Sequence, residues 1–286
     1  MSQVYLNGEF IPLEVACVPV LDRGFLFGDG VYEVIPVYGG HPFRLSRHMA
    51  RLDNSLRSLR MENPMPRDAW ARIFARLIDP DARLDQLLYL QITRGADRTR
   101  NHLFPRNARP TVLVMTWPHG PRDPQIADTG IAAIVLEDNR WHRCDIKAVA
   151  LLGNVLLRQE AQDAAAEEAI LVRDGLVTEG SSANPFIVQD GEILTPPVSN
   201  FLLRGVTRDL VLELAREAAL PCAERRITRD ELETADELWI SSSSREVQPV
   251  TRLDGKPVGM GAPGPRWRQI NALFQNYKTH LRSENG

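Results

Sequence analysis

The chain has 286 residues with 34 basic and 37 acidic side chains, so a net charge of −3 gives no global positive field for nucleic acid or an anionic membrane. It is 43% hydrophobic and 25% charged, the balance of a folded protein long enough for one large domain or two ordinary ones. Its longest apolar runs, such as IAAIVL from Ile131 to Leu136, are too short to span a bilayer.

In chain order, Asn7-Gly8 between strand formers predicts a hairpin. A strand is expected from Val31 to Tyr38, ending in a Gly39-Gly40 turn. Ser46 is expected to cap a helix whose Met49, Leu52, Leu56 and Leu59 fall at helical spacing. A second helix from about Arg67 to Ile78 and two strands, LLYLQIT and TVLVMTW, follow. The stretch PHGPRDPQIADTG, with three prolines and two glycines, is the best linker candidate. Placing a boundary there predicts a smaller N-terminal α/β domain at 1–120 and a larger C-terminal α+β domain at 121–286 that carries Lys147.

Beyond it the sequence predicts a strand (GIAAIVLED), a helix from about Asn154 to Glu167, and four short strands with Asp-Gly turns. Thr207 is expected to cap RDLVLELAREAA, and Thr228 with Glu231 to form a capping box. ELWISSSS reads as a strand entering a serine loop, and a last helix starts near Trp267. Irregular alternation of helices with mostly antiparallel strands points to an α+β protein of two domains. The cysteines (Cys17, Cys144, Cys222) are odd in number and far apart, which argues against a disulfide framework. With the opening MSQVYLNGEF, which lacks a basic-then-apolar pattern, they suggest a cytoplasmic protein. Scattered histidines and the lack of CxxC or HExxH predict no metal site, and GMGAPG at 259–264 has no βαβ context for a dinucleotide.

Several groups could carry chemistry. Lys147 stands at the head of the apolar run AVALL. Its stem could pack there while the ammonium snorkels to water, or a dry setting could free its amine as a nucleophile. Gly205, Val206 and Thr207 open a helix, where free N–H groups and the dipole favour a phosphate. SSSSREV offers hydroxyls. Residues 93–109 hold Arg94, Arg98, Arg100, Arg106 and Arg109 against the single acid Asp97, a trap for a small carboxylate. Glu179 ends a strand before a Gly-Ser-Ser turn. Each has an ordinary structural explanation, but an amine, a carboxylate, two phosphate-capable loops and an arginine cluster together are the set a pyridoxal phosphate enzyme needs.

The strings DRGFLFGDGVYEV, HMARL, WHRCDIKAVALLGN, VTEGSSAN, LLRGVTRD and DELWISSSSREVQPV follow one another from about residue 20 to 255. In them the chain resembles the fold-type IV pyridoxal phosphate enzymes, most closely the bacterial D-amino acid aminotransferases. The resemblance implies a two-domain α+β fold with pyridoxal 5′-phosphate between the domains. It implies ping-pong transamination of D-amino acids such as D-alanine with a 2-oxo acid such as 2-oxoglutarate or pyruvate. In that scheme Lys147 is the Schiff-base lysine and moves the proton between Cα and the cofactor. Glu179 pairs with the pyridine nitrogen, and Leu203 faces the ring opposite Lys147. Arg51, Val206, Thr207, Ser242 and Ser243 bind the phosphate. Tyr32, Arg100 and His102 form the carboxylate trap, with Arg100 and His102 reaching in from the partner subunit of a homodimer.

Two departures stand out. The loop from Gly95 to His102 is one residue longer than the family pattern, so Arg98 competes with Arg100, and Ser243 replaces an expected threonine while keeping the hydroxyl. Same-fold alternatives are an L-branched-chain aminotransferase, an R-selective amine transaminase and aminodeoxychorismate lyase; GDGVYEV with CDIK favours the D-amino acid reading. A non-catalytic cofactor or carboxylate binder is opposed by the joint presence of Lys147 and Glu179.

Overall fold

A computed structural model of the chain describes residues 3–107 and 109–283, which form two compact units. The first comprises Met1–Pro121, Ile146–Leu151 and Leu281–Gly286. Its elements are β1 (Gln3–Leu6), β2 (Glu9–Pro12), α1 (Arg23–Phe27), β3 (Gly30–Tyr38), β4 (His41–Pro42), α2 (Leu45–Ser58), α3 (Arg67–Leu77), β5 (Asp85–Thr93) and β6 (Thr111–His119). The strands pair antiparallel in the order β2-β1-β6-β5-β3-β4. Asn7 and Gly8 take φ of 52° and 107°, as the expected hairpin turn requires.

Strand alternation decides what β3 sends inward. Val31, Ile35 and Val37 are fully buried and pack with Met49, Leu52 and Leu56 of α2 and Trp70, Ile73 and Phe74 of α3. Glu33 has the same parity, so the strand drives a carboxylate into this core (0% exposed). The helix over it starts at Leu45, behind Arg44 in a left-handed conformation and without a side-chain cap. Ser46 therefore lies inside the first turn and does not cap, because burial of the apolar stripe fixes this helix.

The lysine segment also departs from expectation, since Ile146–Leu151 belongs to the first unit. Ile146 and Ala148 are buried in its core, the Tyr32 N–H donates to the Lys147 carbonyl at 3.0 Å, and the Val149 N–H donates to the Gly30 carbonyl at 3.0 Å. Gly28 permits this approach: it has φ of 66°, and a Cβ there would lie 2.8 Å from the Ala150 Cβ.

The second unit comprises Arg122–Asp145 and Leu152–His280. It contains α4 (Ile126–Thr129), β7 (Ile131–Glu137), α5 (Leu152–Asp163), β8 (Glu168–Arg173), β9 (Leu176–Gly180), β10 (Asn184–Gln189), β11 (Glu192–Thr195), α6 (Val206–Glu217), β12 (Cys222–Glu224), α7 (Arg229–Glu233), β13 (Glu237–Ser242), β14 (Glu246–Leu253), β15 (Lys256–Pro257) and, through His280, α8 (Pro265–Ser283). The sheet runs β12-β11-β10-β13-β14-β7-β8-β9 with β15 on β14, and is parallel at β11–β12, β14–β7 and β7–β8. Ile187, Leu238, Ile240 and Val250 fill one face, and Phe186 and Trp239 stack on the other at 5.3 Å. The proline-rich stretch is partly structured, with β6 running through His119 before α4.

Gly205 is the N-cap of α6 and supplies no side chain, so Thr207 sits within the first turn, buried, rather than capping it. The Thr228–Glu231 capping box is present as expected. No helix among the described residues is long and apolar enough to cross a membrane.

Candidate functional site

In the first unit the chemistry gathers where α2, β3 and the lysine segment meet. His48, Arg51 and Ser55 form a polar stripe on α2 beside its apolar one. Arg51 grips Glu33 at two points, Nε to Oε1 at 2.8 Å and Nη2 to Oε2 at 2.7 Å. His48 Nδ1 lies 2.8 Å from Glu33 Oε2. Burial alone would push the Glu33 carboxyl up, but the Arg51 guanidinium and these hydrogen bonds outweigh it and hold it at about 2. Glu33 is thus an anion, so His48 Nδ1 carries the proton that binds it. Burial pushes His48 below its ordinary value, and the imidazole stays neutral at physiological pH. Its Nε2 has no partner among the described residues.

Ser55 completes the stripe by accepting the Lys147 N–H at 3.2 Å. The lysine is therefore fixed through its backbone on both sides. Its half-buried side chain carries Nζ to 4.2 Å from the centroid of the Tyr32 ring. Tyr32 in turn lies 5.8 Å from the ring of Tyr89, whose hydroxyl burial pushes up to about 12 and which donates to Gln91 at 2.6 Å.

The arginine loop sorts into structural and available cations. Arg94 forks onto Asp29 (2.8 and 3.0 Å), donates to the Leu59 carbonyl at 2.8 Å, and stacks on Phe104. Arg23 also holds Asp29 and donates to the carbonyls of Asn101, His102 and Leu103. These contacts fix the loop and remove Arg94 from the carboxylate trap. Arg100 and His102 are exposed and share one platform: the Arg100 guanidinium lies 4.8 Å, and the His102 ring 5.2 Å, from the Phe27 ring. They meet at Phe27, whereas Tyr32 is engaged with Lys147 and Tyr89. Arg98 is exposed, and among the described residues its backbone N–H is held by Asp97 at 2.7 Å.

In the second unit Glu179 is buried at the end of β9. Arg140 Nη1 donates to its Oε1 at 2.5 Å and the Leu203 N–H to its Oε2 at 2.9 Å. Burial pushes the Glu179 carboxyl above its ordinary range, with Arg140 and the Leu203 N–H opposing it in part. Asn184 donates to the Leu203 carbonyl at 2.9 Å and pairs across β10–β13 with Ser241. A Cβ on Gly205 would lie 2.1 Å from Asn184 Oδ1, so the start of α6, the Leu203 turn and the end of β13 converge. The first turn of α6 has no side-chain cap, and the buried Ser241 hydroxyl has no partner among the described residues. Ser242 accepts the Arg245 N–H at 3.2 Å, and Ser243 lies in the following turn. Arg245 pairs at 2.9 Å with buried Glu168, which also takes the Ser181 hydroxyl and N–H, tying the serine loop to the Gly-Ser-Ser turn.

The structure thus joins Lys147 to Tyr32, Arg100 to His102, and Glu179 to Leu203 and the start of α6. Sequence reasoning missed Glu33, His48, Ser55, Asp138, Arg140 and Ser241. A signal existed for the first three: a glutamate in register with inward Val31 and Ile35, and polar residues at 48, 51 and 55 on the helix that follows.

Each unit offers donors of its own: in the first, the half-buried amine of Lys147; in the second, a buried carboxylate suited to a ring nitrogen, and uncapped helix N–H groups with a buried hydroxyl, unpaired among the described residues, suited to a phosphate. Comparison with known proteins identifies the family. The profile of the family described as Amino-transferase class IV matches residues 30–253. The chain is 42% identical over 275 residues to a D-alanine aminotransferase of Bacillus licheniformis, covering 96% of each protein. It is 38% identical over 278 residues to one of Staphylococcus aureus, covering 97% of this chain and 98% of that protein. Among solved structures, a branched-chain amino acid aminotransferase of Escherichia coli superposes with a TM-score of 0.90 at 27% identity, covering 99% of this chain and 97% of that one. A T.th. branched-chain amino acid aminotransferase with pyridoxamine 5′-phosphate gives 0.88 at 28% identity, covering 99% and 96%. With a profile spanning most of its length and relatives of this identity, the chain belongs to the class IV aminotransferases.

Proposed function

We propose that the protein transfers the amino group of a D-amino acid of the D-alanine type to a 2-oxo acid, using pyridoxal 5′-phosphate. The observation that carries this reading is the difference in identity: 42% to a D-alanine aminotransferase against 27% to a branched-chain enzyme of the same fold. When bound, the cofactor supplies an electron sink conjugated to the substrate's α-carbon.

This chain's residues would do the rest. Lys147 would hold the cofactor through its amine and would move the proton at the substrate Cα. Glu179 holds the proton on the ring nitrogen, since a carboxylate beside a ring N–H⁺ stabilises the protonated form. Arg51, the N–H groups of Val206 and Thr207, and the hydroxyls of Ser242 and Ser243 bind the phosphate, and Leu203 packs against the ring. Tyr32, Arg100 and His102 take the substrate carboxylate. Arg100 and His102 would act on the active site of a partner copy, which makes the working form a homodimer. The free cysteines suit a reducing cytoplasm.

The test is an absorption spectrum of purified protein before and after D-alanine, with L-leucine in parallel. Loss of the yellow band with D-alanine alone supports the proposal. Loss with L-leucine alone favours the branched-chain activity named for the E. coli structural neighbour, and would mean that the carboxylate trap is misassigned.

A further inference from the structure

We propose that Asp138 is a positioning residue for Glu179, acting through Arg140; the inference rests on Glu179 as partner of the ring nitrogen. Arg140 Nε donates to Asp138 Oδ1 at 2.8 Å and Nη2 to Oδ2 at 2.9 Å. This two-point grip fixes the plane of the guanidinium, and the remaining corner, Nη1, is the atom that reaches Glu179. Asp138 is itself held from four directions. Its N–H donates to the Val172 carbonyl at 2.7 Å, and it receives the Thr178 hydroxyl at 2.8 Å, the Arg140 N–H at 3.2 Å and Arg173 Nη2 at 3.2 Å. Arg173 also donates to the Arg140 carbonyl at 2.7 Å.

The cluster therefore buries two acids, Asp138 and Glu179, against two guanidiniums, Arg140 and Arg173. The nearby Cys144 thiol, pushed up to about 11 by burial, adds no charge at neutral pH. Burying these charges costs desolvation energy, and removing one partner leaves its counter-charge buried and uncompensated.

Positioning and simple charge make opposite predictions for Glu179. As a bare negative charge, Asp138 raises the Glu179 carboxyl, so removing it would leave Glu179 more firmly ionised. As a positioning group, Asp138 keeps Arg140 on Glu179. Removing it frees the guanidinium to turn toward other acceptors, and a carboxyl already pushed up by burial takes a proton. A protonated Glu179 no longer holds a proton on the ring nitrogen.

The experiment loads wild type, Asp138→Asn and Glu179→Gln with ring-¹⁵N pyridoxal 5′-phosphate and reads the ring-nitrogen resonance across neutral pH. Melting of the cofactor-free proteins reports folding. The expected result is that Asp138→Asn folds and moves the resonance toward the neutral-pyridine position, as Glu179→Gln does. Its kcat should fall about tenfold or more while KM changes little. A resonance that stays put or moves the other way in Asp138→Asn, while Glu179→Gln shifts it, overturns the inference and leaves the Glu179 assignment intact. If Glu179→Gln leaves the resonance unmoved as well, that assignment fails and the inference falls with it. Should Asp138→Asn not fold, Thr178→Val, which removes one hydroxyl grip on Asp138, must produce a smaller shift in the same direction; no shift overturns the proposal.

Discussion

The amine of Lys147 rests 4.2 Å from the centre of the Tyr32 ring while the two residues are also joined through the backbone, Tyr32 N–H to Lys147 carbonyl. One strand thus supplies both the platform for the amine and the hydrogen bond that orients its main chain. Because the lysine's fixed hydrogen bonds are backbone ones, its side chain can be removed without unravelling the segment. Lys147→Ala should fold as wild type does. After borohydride treatment the wild type should gain the mass of the cofactor and the variant should not, and turnover should drop about 10²- to 10⁴-fold. A cofactor-mass adduct at another residue of the variant would refute the role of Lys147.

Arg100 and Arg98 compete for one role, and their surroundings separate them. Arg100 shares the Phe27 platform with His102, whereas the Arg98 side chain extends into solvent from a turn held by Asp97. A carboxylate arriving at Phe27 meets a cation and an imidazole together. Arg100→Met should therefore raise KM for the amino acid about ten- to a hundredfold, the worth of a charge-assisted hydrogen bond, while Arg98→Met leaves it nearly unchanged. Steady-state kinetics on both variants decide the matter; the reverse pattern would assign the trap to Arg98.

Much of this was legible in the sequence because the signals were local. Asn7-Gly8 specified its turn, Thr228 and Glu231 their capping box, and the apolar stripe of α2 its buried face. What could not be read was mostly the non-local part. The grip of Asp138 on Arg140 spans two residues, but its purpose appears only when β9 brings Glu179 alongside from 39 positions away in the chain. Ser46 and Thr207 misled for a related reason: each helix starts earlier than its hydroxyl suggests, at a left-handed Arg44 or at a side-chain-free Gly205. Lys147 likewise follows the boundary in sequence, yet burial of Ile146 and Ala148 assigns its segment to the first unit.

Gly205 is required for lack of a side chain rather than for backbone freedom, since its φ is an ordinary −71°. A methyl group there would fall 2.1 Å from Asn184 Oδ1, and Asn184 holds the Leu203 carbonyl. Gly205→Ala should push Asn184 aside, loosen the Leu203 turn and the start of α6, and cost about 1–3 kcal/mol of stability, the range for overpacking. Asn184→Ala removes the obstacle. In a double-mutant cycle the two substitutions should therefore be strongly non-additive, with Gly205→Ala costing much less in the Asn184→Ala background. Additive effects by chemical denaturation would show that the clash is not what excludes a side chain here.

Glu33 gives the protein an acid-sensitive contribution whose sign is fixed by its partners. Its carboxyl is held at about 2, below the ordinary value of 4.5, so the folded state binds this proton less readily than the unfolded chain. The stabilisation is complete above the unfolded value and is lost as the pH falls from about 4.5 toward 2. At neutral pH it amounts to roughly 3 kcal/mol, since each pH unit of difference corresponds to about 1.4 kcal/mol. Glu33→Gln should remove it and leave the Arg51 guanidinium without the anion it grips. The melting temperatures of the cofactor-free wild type and variant should differ most at neutral pH and draw together progressively as the pH falls from about 4.5 toward 2, where folded Glu33 takes up its proton. A gap that stays constant into that acid range would mean that the stabilisation comes from the shape of the side chain and not from its charge.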